Sequence, residues 1–190
     1  RNIKIDEWDV SNVESMFCIF KGCKNFNCDL SKWDVSNVKN TQHMFEDCEK
    51  FTSDLSNWKI SKVTYFTGMF NSCEKFESDL SSWDVSKAKD MSTMFYGCSK
   101  FTGKGLDKWR PNNLKYVSSM FAECGNLDVD LSNWDISNVR SVSNMFNGCE
   151  KFKSDLSHWD FTNVEYGSVN DAFRKCPNMI NSPELLPKGN

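Results

Sequence analysis

Apolar residues recur along this chain on two alternating periods. Around each tryptophan the pattern is Trp, polar, Val, as in Trp33-Asp34-Val35, which is the period of two of a short strand with one buried face. Leu30 and Val38 extend the inward set. With the Trp as position 0, apolar residues next fall at +8, +11, +12 and +15: Met16, Ile19, Phe20 and Cys23 in the first unit, Met91, Met94, Phe95 and Cys98 in the fourth. That i, i+3, i+4, i+7 stripe predicts a short helix. Ser15, Asn40, Asp90 and Ser141 at +7 are residue types suited to cap its start. A Phe at +18 (Phe26, Phe51, Phe76, Phe101, Phe152, with Leu127 in the fifth unit) closes the core behind it.

The pattern repeats seven times. Trp8, Trp33, Trp58, Trp83, Trp109, Trp134 and Trp159 are separated by 25, 25, 25, 26, 25 and 25 residues, and no tryptophan lies off this grid. A strand and helix this short cannot bury their apolar faces alone, but units stacked in register share one continuous core. The expectation is an α/β repeat solenoid, right-handed in type, with seven units of about 25 residues over 1–190, each a short parallel strand plus a short helix. Strands about 4.8 Å apart and helices about 8–10 Å apart would curve the stack, strands inside. The chain enters in mid-repeat at Arg1 and stops at Leu186-Pro187-Lys188-Gly189-Asn190, where an eighth unit would begin, which reads as a segment of a longer protein. That last stretch lacks the Thr of a sortase signal.

Composition narrows the function classes. Hydrophobic residues are 39% of the chain, enough to fold, and no apolar run approaches the length of a membrane span. With a formal net charge of -3 and both signs interspersed there is no basic stripe to neutralise phosphates, which argues against nucleic acid as a partner.

The run Leu-Ser-x-Trp-Asp-Val-Ser-Asn-Val followed by Met-Phe-x-x-Cys-x-x-Phe resembles the leucine-rich repeat of BspA-like surface proteins. Ala172-Phe173-Arg174-Lys175-Cys176 comes nearest to their Ala-Phe-x-x-Cys segment. More narrowly, the unit resembles the 25-residue repeat of surface lipoproteins and wall-anchored proteins of mycoplasmas and low-GC Gram-positive bacteria. That resemblance covers essentially the whole chain and implies a leucine-rich-repeat-like solenoid displayed at the cell surface, outside the cell. It implies no ligand.

Chemistry-bearing residues have bland readings beside sharper ones. Cys23, Cys48, Cys73, Cys98, Cys124 and Cys149 share position +15 and Cys176 follows two residues late. On helices packed about 8–10 Å apart they would lie too far apart to bridge, so they read as buried free thiols. Cys18 and Cys28, off the grid, are the pair whose bridge would pin the end of the array. The Trp series reads as core rather than a sugar-stacking platform. The residues after Trp are Asp9, Asp34, Lys59, Asp84, Arg110, Asp135 and Asp160. This outward column serves either local hydrogen bonds to the Ser two residues on or a charged ligand surface, with Lys59 and Arg110 as its exceptions. A second series, Asp29, Asp54, Asp79, Asp130 and Asp155, reads as turn residues, with too few oxygen ligands per unit for calcium. His43 and His158 occupy unrelated phases without a triad partner, and the glycines are scattered, with no phosphate loop. No metal, cofactor or catalytic group is expected.

Off-rule residues point to a site, because the scaffold explains the others. They are Lys59 and Lys62 in the third unit, Arg110 and Asn112 in the fifth, and the column Asp34, Asp84, Asp135 and Asp160 that they interrupt, with Tyr65, Tyr116 and Tyr166 at +7 on its border. The functional expectation is a non-catalytic, adhesion-type interaction module that binds a host or partner protein, or a glycan, through its strand face. The alternative is a structural spacer with no ligand of its own.

Overall fold

The computed structural model describes residues 3–169 and 171–179; the closing Leu186–Asn190 stretch lies outside them. The expected strand-plus-helix unit does not form. Among the described residues there is no α-helix and no strand longer than one residue, and the regular elements are two 3-10 turns, Ile5–Glu7 and Leu106–Lys108. The α/β leucine-rich-repeat-like solenoid is therefore overturned. Each unit is instead a chain of tight turns bonded to the units on either side.

The segment that reads as a helix shows why. An α-helix sends every N–H to the carbonyl four residues back. Here the N–H groups alternate between two uses. Those of Met16, Cys18, Phe20 and Gly22 go to the next unit, onto the carbonyls of Asn40, Gln42, Met44 and Glu46 at 2.8, 3.0, 3.0 and 2.7 Å. Those of Lys21 and Cys23 close turns onto Cys18 and Phe20 at 3.2 and 3.0 Å. The same ladder recurs from Phe66, Gly68, Phe70 and Ser72 onto Asp90, Ser92, Met94 and Tyr96. Left-handed residues make the alternation possible. Position +10 has φ of 54° at His43 and Thr93 and 55° at Ser119; position +14 has 60° at Asp47 and Ser72 and 68° at Gly97. A left-handed residue third in a turn closed by an i to i+3 bond is the type II signature. Successive turns of this kind return a side chain to the core every three or four residues, so Met91, Met94, Phe95 and Cys98 are all fully buried, as a helix would have buried them.

The sheet shrinks to one rung per unit, and not at the tryptophan. Parallel bridges link Ser15, Asn40, Tyr65, Asp90, Tyr116 and Ser141 in sequence, all at +7. The Trp-x-Val segment lies between two turns, Trp33 N–H to Leu30 at 3.0 Å and Val38 N–H to Val35 at 3.0 Å, and these turns aim Trp33 and Val35 inward. Without helices, the spacing mismatch that would curve the stack is gone. Phe45, Phe70, Phe95, Phe121 and Phe146 form one stacked column with ring centres 5.6–5.7 Å apart. The tryptophan column is nearly as close, 6.3 Å from Trp83 to Trp109 and 5.9 Å from Trp109 to Trp134. Offset aromatic pairs add about 0.5–1.5 kcal/mol each beyond the area they bury.

Neighbouring units are also joined through shared carbonyls. The Leu30 carbonyl accepts the Trp33 N–H within its own turn and the Trp58 indole N–H from the next unit, at 3.0 and 2.9 Å. Leu55, Leu80, Leu106 and Leu131 receive Trp83, Trp109, Trp134 and Trp159 in the same way. The thiols copy the device: Phe45 O takes the Cys48 N–H at 2.9 Å and the Cys73 Sγ at 3.0 Å. Both lone pairs of one carbonyl are thus used, and the buried indoles escape the roughly 1–3 kcal/mol cost of an unpaired donor. Trp33 to Trp159 are buried, whereas Trp8 in the first unit is 53% exposed.

All nine cysteines are free, Cys18 and Cys28 included. The reason differs from the helix argument, since units bonded at about 4.8 Å bring neighbouring cysteines within the roughly 7 Å bridging limit. From Cys48 to Cys149 the thiols are held by their bonds to Phe carbonyls and by their burial, which pushes Cys48 up to about 12 and suppresses the reactive thiolate; in the end unit Cys23, expected inside, is exposed, and Cys18 and Cys28 are half-buried.

Candidate interaction surface

With units in register, residues at one phase of the repeat line up on the outside. The column after the tryptophans therefore gathers Asp34, Lys59, Asp84, Arg110, Asp135 and Asp160, all exposed. Its carboxylates are locally engaged. Asp34, Asp84 and Asp135 accept the backbone N–H of Ser36, Ser86 and Ser137 at 3.0, 3.0 and 2.9 Å, and Asp160 that of Thr162 at 2.9 Å. Hydrogen bonds from the serine two residues on hold Asp34, Asp84 and Asp135 below the usual carboxylate range. Stacking works against this: the like charges of Asp9 on Asp34 and of Asp160 on Asp135 push upward. The local role of the series is thus real, and it leaves the outer carboxylate faces in solvent.

The exceptions behave differently from one another. Lys59 is exposed and has no polar partner among the described residues. Arg110 folds back, its Nη1 donating to the carbonyls of Asp107 and Trp109 at 3.0 and 2.7 Å. Lys62 stands on a neighbouring column and donates to Asn37 Oδ1 at 2.7 Å. Asn112 closes a tight turn onto Arg110 O at 3.0 Å, and its own carbonyl accepts Asn138 Nδ2 at 3.3 Å. Lys59, Asp84 and Arg110 therefore share one column, while Lys62 and Asn112 serve the joints between units.

A family described as Mycoplasma protein of unknown function, DUF285, matches residues 1–109 and again residues 78–184. The chain belongs to that family. Each match spans about four units, so the family's own pattern includes the repeat. This supports the coarser part of the resemblance, a mycoplasma repeat family; the finer likeness to BspA-like leucine-rich repeats has no support in it. No curated protein matches the chain. Among the described residues no helix is long and apolar enough to cross a membrane.

One column of this DUF285 repeat is not evident along the sequence. Position +6, immediately before the bridged residue, carries Lys39, Thr64, Lys89, Lys115 and Arg140 in successive units. Their backbones are tied in file, Lys89 N–H to Thr64, Lys115 to Lys89 and Arg140 to Lys115, each at 2.9 Å. Beside them, at +7, stand Tyr65 and Tyr116, 43% and 41% exposed. The signal is present in the residues but is masked by the overall charge, which averages this stripe against acidic columns elsewhere. It emerges only when each phase of the repeat is read down the stack, instead of along the chain. His43, which lacks a catalytic partner in sequence, pairs with Glu46 three residues on.

Proposed function

We propose that this chain is a non-catalytic interaction module of a surface protein displayed outside the cell, which binds a partner protein or glycan through its exposed side-chain columns. The observation that carries this reading is the contrast between inside and outside. Trp, Phe and Cys repeat at fixed interior positions, whereas the column after the tryptophans changes sign along the stack, with Lys59 and Arg110 between carboxylates. Core packing places no demand on those outer residues. Membership in a mycoplasma repeat family supports the setting.

The test is a protein and glycan array probed with the chain, followed by Lys59→Glu and Arg110→Glu on any hit. Weakened binding at an unchanged melting temperature supports the module. An array without hits, together with charge changes that leave cell-surface association untouched, favours the alternative: a spacer whose continuous hydrogen-bond ladder holds other domains at a distance.

A further inference from the structure

Several lysines of the molecule are neutralised by a carboxylate on the adjoining unit: Lys24 by Glu49 at 2.7 Å, Lys104 by Asp79 at 3.2 Å, Lys153 by Asp128 at 3.4 Å and, at the start of the +6 column itself, Lys39 by Glu14 at 3.0 Å. Lys89, Lys115 and Arg140 follow one another on three consecutive units, all exposed, and among the described residues none makes an ion pair. Their backbones are hydrogen-bonded in file, so the charges leave the stack about 4.8 Å apart. Like charges stacked this closely repel; Glu165, whose N–H bonds the Arg140 carbonyl at 2.7 Å, ends the file on the next unit, but among the described residues it forms no ion pair with the three cations. The stripe is therefore an unneutralised cationic track at the pitch of the units.

The neighbouring column adds a second kind of contact. Tyr65 and Tyr116 lie two units apart with Asp90 between them, and Asp90 is turned to its own loop, accepting the Ser92 N–H at 2.8 Å. Aromatic faces on two alternate units, in line with cations on three consecutive ones, suit a linear polymer with flat apolar faces and regularly spaced anions. We propose that this corner binds an acidic polysaccharide, its carboxylate or sulfate groups on Lys89, Lys115 and Arg140 and its pyranose rings against Tyr65 and Tyr116. The proposal rests on the reading of the chain as an interaction module, and puts the ligand on a different column from Lys59 and Arg110. A nucleic acid fits less well: a single file of three cations on a chain of net charge -3 is short of the many phosphate contacts on which such binding depends.

Binding of the whole chain to immobilised heparin fragments, hyaluronan oligosaccharides, neutral dextran and single-stranded oligothymidylate, measured across a salt series, tests it. The expected result is binding to one or both acidic glycans and not to dextran. The logarithm of affinity should fall with that of salt at a slope of about -2 to -3, for three charges at roughly 0.7–0.9 each. The heparin and hyaluronan arms separate sulfate from carboxylate recognition. Changing Lys89, Lys115 and Arg140 together to Gln should lower affinity more than tenfold at an unchanged melting temperature. Y65A with Y116A should lower it several-fold without altering the salt slope. Absence of binding to both acidic glycans, equal or tighter binding to the oligothymidylate, or full affinity in the triple variant would overturn the proposal. A ligand that responds to Lys59→Glu and Arg110→Glu but not to the triple variant would leave the interaction module standing and remove only this site.

Discussion

At the scale of the residue, the chain relies on small polar groups placed at fixed phases. An aspartate two residues before a serine accepts its N–H, and the bond is strongest when the carboxylate is ionised. The folded carboxylates of Asp34, Asp84 and Asp135 lie below their ordinary range because of these bonds to Ser36, Ser86 and Ser137. A depressed carboxylate contributes stability that is present above the unfolded value, about 3.9, and is lost as pH falls through the folded one. The melting temperature should therefore be flat near neutrality and fall below about pH 4. Changing Asp34, Asp84 and Asp135 together to Asn keeps an acceptor oxygen but removes the titration. Thermal denaturation between pH 7 and pH 3 should then show a shallower acid limb, and superimposable limbs would show that these turns do not supply it. This role was legible in the sequence, since an Asp followed two residues later by Ser is a local pattern. The shared carbonyl was not, because Leu30 and Trp58 lie 28 residues apart and the indole N–H gives no hint of which oxygen it will find.

At the scale of the element, the sequence was most misleading where it looked most regular. Met91, Met94, Phe95 and Cys98 satisfy a helical stripe, and all four are inside. A run of i to i+3 turns returns side chains to one side at almost the same intervals, so hydrophobic spacing alone does not separate the two. The deciding information is which residues accept positive φ. Gly22, Gly97 and Gly148 share position +14, a recurrence hidden when the glycines are read as scattered. Asp47, Ser72 and Glu123 take the same conformation without being glycine, which blurred the signal further. Two glycines make the conformational requirement testable. At Gly97, φ is +68° and an added Cβ would find Ser72 Cα at 3.7 Å, ordinary contact, so Gly97→Ala should cost only the backbone strain, about 1–2 kcal/mol. Gly105 absorbs the one-residue insertion before Trp109; at φ +93° its Cβ would lie 2.2 Å from Ser81 N and 2.7 Å from Leu80 C. Backbone must move there, and Gly105→Ala should cost several kcal/mol. Denaturant titrations that give the two variants equal cost would contradict this expectation.

At the scale of the whole molecule, the core is a set of parallel columns, and stability should be close to a sum over units and the joints between them. Removing residues 59–83, one full period, joins Trp58 to Asp84 and restores the sequence of a unit. That shortened chain should fold, keep its tryptophan fluorescence blue-shifted and melt at a lower temperature, having lost one joint. Removing only 59–79 leaves the same residues out of phase and should yield a chain that melts without a cooperative transition. Comparable melts for the two deletions would mean that register is not what holds the stack. Core membership was legible in the Trp grid itself, because from the second unit on a residue at a fixed distance from a tryptophan repeats its neighbour's environment; in the end unit Trp8, Ile19 and Cys23 keep the pattern but are exposed, with no unit before them among the described residues to cover them. The surface was half legible: Lys59 and Arg110 stood out because they break a rule along the chain, whereas Lys89, Lys115 and Arg140 share the +6 phase without breaking any rule and become neighbours through stacking.

The shared carbonyls and the N–H ladder give each unit two complementary faces, each with its own donors and acceptors, the same in kind at every joint. In-frame duplication of one period in the gene would thus insert a layer that its neighbours already fit, and loss of a period would close the gap. Gain or loss of whole periods can therefore lengthen or shorten the array without redesigning a core, and can reshuffle the outer columns as it does so. The extra residue near Gly105 marks the other outcome, a length error that survived because a glycine could take it up.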